Sequence, residues 1–261
     1  MPTIHTDLPA VVLDSRDHGE SDKIITLFCK DIGKLTGIAK GAHRSKKRFV
    51  NKLELFSFLS ITCSRSTNAG LAVITDGELL NGFMTIRSSV PQYQAASVIR
   101  EFILLATNEQ LPENELFILL LWTLHALDRG ESCSSTTAIF LIKFFDSIGY
   151  RPDFSCCQNC GLMYQNKSPA VFSNQAGGLI CSRCMSAGTF SGRKLSTGTI
   201  KVINAIQNQP IRKLQRLKLS GPILDDLLNS AYRYGRHLFQ REIVSWKFFS
   251  ADLNRPSPHH R

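Results

Sequence analysis

Apolar and polar positions alternate in short runs over residues 9–80, the period-two pattern of half-buried strands. Segments 9–15, 23–29, 34–40, 55–63 and 71–80 each have strand length and a β-branched or aromatic content. Asp17-His18-Gly19-Glu20, Asp31-Ile32-Gly33 and Thr67-Asn68-Ala69-Gly70 separate them with turn-forming residues. Five strands in so short a stretch predict a small barrel. In the fourth, Leu55, Ser57, Leu59, Ile61 and Cys63 share one face, while Phe56 and Phe58 point the other way. Those two rings either stack on nucleic-acid bases or lie under a neighbouring domain.

After Gly82 the period lengthens to that of helices. Segment 92–106 repeats apolar residues at Ala95, Val98, Ile99, Phe102, Ile103 and Leu105. A second helix over 112–129 opens with Pro112-Glu113-Asn114-Glu115 and stops before Gly130, and a third, capped by Ser134 or Ser135, runs to Gly149. Helices resume over 196–208 and 222–249, the latter with Ser220 as cap and Pro222 in its first turn, and the tail 255–261 reads as frayed. The pattern predicts an α+β multidomain chain. A barrel domain spans residues 1–82 and a helical domain spans 83–261, the latter with an insertion at about 153–190.

Composition places the chain among globular proteins: 261 residues, 43% hydrophobic and 20% charged, which excludes a disordered or fibrous polypeptide. The longest apolar run, within 116–127, is broken by Thr123 and His125 and falls short of the roughly 20 residues a bilayer requires. Residues 1–10 hold no basic patch leading into an apolar core, so no secretory signal is read and a cytoplasmic location is expected, with no membrane partner. The net charge of +10 is uneven, at +2 over residues 1–80, −3 over 81–150 and +11 over 151–261. Such a distribution points to a polyanion or an acidic partner. One basic run, Lys40-Gly41-Ala42-His43-Arg44-Ser45-Lys46-Lys47-Arg48-Phe49, lies between two predicted strands. It reads as a mobile loop able to clamp a phosphate backbone, with a solvated charge run as the plainer alternative. A second cluster, Arg212, Lys213, Arg216 and Lys218, lies between helices.

Five of the eight cysteines crowd into one stretch, and four of them form two pairs, Cys157-Gln158-Asn159-Cys160 and Cys181-Ser182-Arg183-Cys184. Two residues between ligands let one tight turn aim both sulfurs at one ion, and Gly161 supplies the positive φ such a turn needs. Four thiolates would leave Zn²⁺ no open position, making the site structural. A redox dithiol, an iron–sulfur ligand set and disulfides are the competing readings, and the paired spacing favours zinc. Cys156 stands outside the register, and the scattered Cys29, Cys63 and Cys133 read as small buried hydrophobes.

No catalytic constellation emerges: no phosphate-cradling glycine loop with lysine, no nucleophile elbow, no paired zinc-protease histidines. Asp14, Asp17, Glu20 and Asp22 could serve a metal-dependent nuclease, yet such acids are common on strand edges and turns. The expectation is a non-enzymatic binding protein, and its rival is a zinc-ribbon redox or regulatory enzyme acting on a nucleotide or RNA.

The N-terminal string Asp14-x-x-Asp17-x-Gly19-Glu20-x-Asp22-Lys23 is followed by Gly33-Lys34, then Ala39-Lys40-Gly41-Ala42-x-Arg44 and Lys46-x-Arg48-Phe49. It resembles the RecO family of recombination mediators. So do Gly149-Tyr150-Arg151-Pro152, the cysteine pairs with Gly161 and Gly177-Gly178, and Val244-Ser245-Trp246-Lys247. The resemblance implies an OB-type barrel followed by a helical domain with a four-cysteine zinc module. It also implies binding of single- and double-stranded DNA, with Lys34, Lys40, Arg44, Lys46, Lys47 and Arg48 as contacts. It further implies strand annealing and, with the partner RecR, loading of RecA onto DNA coated by single-stranded-DNA-binding protein, whose acidic C-terminal tail would be a further ligand. The typical Lys-Ser-Arg of the basic loop stands here as Lys46-Lys47-Arg48, which keeps charge and loses a hydroxyl.

Overall fold

A computed structural model of the chain describes residues 3–45, 48–65, 70–165, 170–188, 190–214, 217, 219 and 221–253. Lys46, Lys47, Arg216, Lys218, Ser220, most of the third predicted turn (Thr67-Asn68-Ala69-Gly70) and the predicted frayed tail 255–261 lie outside them. The five predicted strands are present as β1 (Thr3–His18), β2 (Asp22–Cys29), β3 (Gly33–Ala39), β4 (Phe58–Arg65) and β5 (Ala72–Asn81). They close into a barrel in the order β1-β2-β3-β5-β4, with β3 and β5 parallel and the other pairs antiparallel. β1 is long enough to pair with both β2 and β4, and its ladder to β2 slips between Val12 and Asp14. Ala10 and Val12 fill the barrel, while Val11 and Leu13 join the helical core. With both faces buried, residues 9–13 carry no polar position at all.

Phe49 shows what the basic stretch does structurally. It is 4% exposed and plugs the barrel together with Leu53, so the predicted loop is anchored by its own ring, which is not free for base stacking. Phe56 and Phe58 are also covered: Phe56 meets Tyr93 edge-on at 5.6 Å, and Phe58 packs against Phe117 at 6.4 Å between centroids.

Beyond the barrel come α1 (Met84–Ser88), α2 (Val90–Ala106), α3 (Asn114–Asp128) and α4 (Cys133–Ser147). Ser132, two or three residues earlier than predicted, caps α4 by accepting from Ser135 N. The insertion holds β6 (Asp153–Cys157), β7 (Ala170–Ser173), β8 (Gly178–Cys181), α5 (Ser182–Ser186) and β9 (Arg193–Lys194), a four-stranded sheet ordered β6-β8-β7-β9. Phe154, Phe172 and Leu179 of this sheet enter the main core, so the insertion is packed onto the helices.

The chain ends in α6 (Thr197–Asn208), α7 (Ile211–Leu214), α8 (Gly221–Phe239) and α9 (Val244–Leu253). The single helix predicted over 222–249 is therefore two. Gln240 adopts φ +52°, its amide donates to His237 O at 2.6 Å, and the chain turns so that α9 packs on α2. Gly235 admits Phe102 to α8: a Cβ there would lie 2.5 Å from the ring. Phe102 in turn meets Phe144, Phe145 and Phe239 edge-on at the centre of the main core.

Polar contacts join barrel and helices. Adjacent residues of α2 divide the work: Arg100 donates to Leu13 O and pairs with Asp14 on β1, and Glu101 accepts from Val244 N and Ser245 N at 2.8 Å, capping α9. Lys34 donates to Thr107 O at 2.5 Å, and Asp31 and Asn114 exchange two hydrogen bonds of 2.8 Å. No described helix is long and apolar enough to cross a membrane.

Candidate metal centre and polyanion interface

The sulfurs of Cys157, Cys160, Cys181 and Cys184 lie within 4.8 Å of one another, the only such group of potential metal ligands among the described residues. Strand β6 delivers Cys157, the following turn delivers Cys160, and the β8–α5 junction delivers Cys181 and Cys184. Gly161 has φ +71°, as the turn chemistry requires. Parallel pairing of β6 with β8 brings the two turns side by side, and Cys181 N donates to Cys157 Sγ at 3.3 Å.

Burial opposes ionisation of Cys157, yet the backbone N–H groups of Cys181, Cys160 and Asn159 outweigh it and bring the thiol down to about 6. Cys184 goes the other way. Although Asn159 donates to its sulfur, burial and the three neighbouring cysteines push it up to about 11. Four sulfurs this close repel one another as thiolates unless a cation sits among them, so the donor set fits a soft divalent metal. Arg183 beside Cys160 adds a positive charge at the rim. Cys156 turns its sulfur toward Asp153, 3.8 Å away, outside the group. Cys29 and Cys63 are buried in the barrel, and burial pushes both thiols up, which leaves them inert hydrophobes.

On the barrel, Lys40, Arg44 and Arg48 are all exposed on the β3–β4 connection. The early acidic group supports this segment. Asp22 accepts from Gly41 N at 2.8 Å, Asp17 pairs with His43 at 2.9 Å and Glu20 stands 3.7 Å from Arg44. The Gly41 N–H holds the Asp22 carboxyl below its ordinary value. Arg48 lies over the Phe49 ring at 5.3 Å. Lys34 stands apart from these cations, half-buried with its ammonium on the Thr107 carbonyl at the helical junction. Arg212 and Lys213 are exposed on α7, which is remote in sequence from the barrel loop.

A further group of cations escaped the sequence reading: Arg233, Arg236, Arg241 and Lys247, brought together where α8 turns into α9. They are scattered roughly one to a helical turn, so no run marks them. Arg233, Arg236 and Arg241 leave no trace in the sequence beyond the charge of +11 over residues 151–261, and Lys247 stands out only as the end of Val244-Ser245-Trp246-Lys247.

Comparison with known proteins covers both regions. The family model described as Recombination protein O N terminal matches residues 1–83, and that described as Recombination protein O C terminal matches residues 87–247. A DNA repair protein RecO from Syntrophus aciditrophicus (strain SB) is 30% identical over 237 residues, 90% of this chain and 92% of that one. Its counterpart from Thermoanaerobacter sp. (strain X514) is 31% identical over 245 residues, 92% and 95% of the two chains. That from Syntrophobacter fumaroxidans (strain DSM 10017 / MPOB) is 29% identical over 247 residues, 95% and 97%. With the barrel and the helical region matched in order by the two halves of one family, and relatives aligned along nearly the whole length, the chain belongs to the RecO family of DNA repair proteins.

Proposed function

We propose that the chain is a recombination mediator of the cytoplasm that binds single- and double-stranded DNA, anneals complementary strands and, with RecR, helps RecA replace single-stranded-DNA-binding protein. The observation that carries this reading is the barrel segment on which Lys40, Arg44 and Arg48 are exposed while Phe49 is buried. It presents cations on an anchored base and offers no ring to read bases. Phosphate contacts of this kind are blind to sequence, as annealing of arbitrary strands demands. Lys46 and Lys47 fall within the same segment and belong to the same proposed contact.

The cysteine centre is proposed to hold one Zn²⁺ through Cys157, Cys160, Cys181 and Cys184, a closed site with a structural role. The acidic tail of a single-stranded-DNA-binding protein needs apolar anchoring beside cations. The cleft lined by Ile118, Leu119, Pro210 and Ile211 offers the apolar part and Arg212 and Lys213, next in the chain, the cations, while Glu115 and Asp146 share the lining and the Lys143 ammonium within it donates to Gln207 O.

Annealing of complementary oligonucleotides, bare and coated with single-stranded-DNA-binding protein, tests the reading. The chain is expected to accelerate both reactions, and replacement of Lys40, Arg44 and Arg48 by alanine should slow them. Unchanged annealing by that variant would remove the barrel segment from the mechanism.

A further inference from the structure

We infer that the groove between α8 and α9 is a second binding site for a nucleic-acid strand, held through its phosphates and separate from the barrel segment. The groove encloses about 930 Å³ and continues into a cleft of 510 Å³ beside β7 and β9, the two sharing Asn174, Arg233 and His237. Arg233, Arg241 and Lys247 are exposed on its walls, and none has an ion-pair partner among the described residues. The acid within it, Glu242, is taken up by Arg236 and by Tyr232 Oη. Net positive charge on concave walls concentrates anions more than the same charge on a flat surface.

The occupant follows from what the groove lacks. Of the rings in its lining, Tyr232 and Trp246 stack on each other at 4.5 Å and 7°, Arg236 lies over Tyr232 at 5.6 Å and Trp246 is buried, which leaves the His237 imidazole as the exposed ring and no apolar anchor. The α9 N-terminus is occupied by the Glu101 carboxylate, which leaves side-chain cations as the source of attraction. An acidic peptide draws specificity from apolar anchors that this lining does not provide. A phosphodiester chain needs none, since its charges come in series. The geometry is also fixed in advance: Gln240 closes the C-terminus of α8, and the ring stack locks α9 against it.

The inference deepens the DNA-binding reading and rests on it: with strands on the barrel and in this groove, one chain holds both partners of an annealing pair. The full-length chain is tested with a fluorescent oligothymidylate. The groove variant Arg233→Glu/Arg241→Glu/Lys247→Glu is expected to bind it at least about tenfold more weakly, with a salt slope shallower by about 2, three contacts at about 0.7 each. A 4-thiothymidine oligonucleotide should cross-link to the peptide spanning residues 229–250 in the unmodified chain, a readout that does not depend on the variant folding. The same adduct should persist in Lys40→Glu/Arg44→Glu/Arg48→Glu, so failure of the barrel reading would leave the groove standing. Wild-type affinity and slope in the groove variant, or cross-links confined to the barrel, would overturn the inference while sparing the barrel. Displacement of the oligonucleotide by a polyglutamate peptide of equal charge at equal concentration would overturn it too, since the groove would then bind acidic chains at large.

Discussion

The barrel and the cysteine-bearing sheet are both small β structures, yet they cohere by different means. The barrel encloses its own apolar interior, from Leu8, Val12 and Ile25 to Leu59, Ile61 and Ile74. The sheet β6-β8-β7-β9 has strands of five residues or fewer, and its private cluster is Cys157, Ile180 and Cys184, so that two of three buried members are candidate ligands. Packing of Phe154 and Phe172 on the main core supplies one face, and the turns bearing the sulfurs depend on what joins them. The first structure is held by burial spread over many side chains; the second, with the proposed zinc in place, would concentrate its cohesion in four sulfurs around one ion.

Breaking the concentrated one should have the largest effect. With zinc in the centre, Cys157→Ser is expected to release the metal and forfeit much of a binding energy on the order of 10 kcal/mol. Elemental analysis should fall from one zinc per chain toward none, with a lowered melting temperature. Phe49→Ala in the barrel should cost about 3–5 kcal/mol through the cavity it leaves. That variant should keep its zinc, and loss of metal from it would show that the two regions are not independent. Gly33→Ala is next: φ is +81° and a Cβ would lie 1.9 Å from Leu111 O, so strain of about 1–3 kcal/mol is expected at the barrel–helix junction, read by chemical denaturation. Smallest is the pH response of the basic segment. Because Asp22 is depressed below 3.8 in the folded chain, its contribution is complete above that pH and is lost as pH falls through its folded value. The Gly41 amide resonance should therefore titrate with a midpoint below 3.8, and a midpoint at or above it would deny the Asp22–Gly41 bond.

The same contrast governs what could be read from residues alone. The four-cysteine group was legible because two short spacings encode it, and the strands of the barrel because Leu59, Ile61 and Cys63 alternate. Phe49 was not: a single anchoring ring has no period, and amid five cations it passes for part of a loop. The break at Gln240 carries no glycine or proline to announce it, since the fold supplies the compensation through His237 O and the docking of α9 on α2. Four-residue strands such as β7 and β8 are too short for alternation to register. Lys34 belongs to the junction because of Thr107, 73 positions away, a relation that no local pattern contains.

Arg100 and Glu101 are consecutive on α2, one bound to the barrel and the next to the head of α9. A helix advances about 1.5 Å per residue. The barrel and the head of α9 are therefore tied to α2 at nearly the same height. Because Ala95, Ala96, Val98, Ile99, Phe102 and Ile103 of the same helix are fully buried, one element serves as both core and tie, and a substitution that shifts α2 would alter the seating of the barrel and of α9 together.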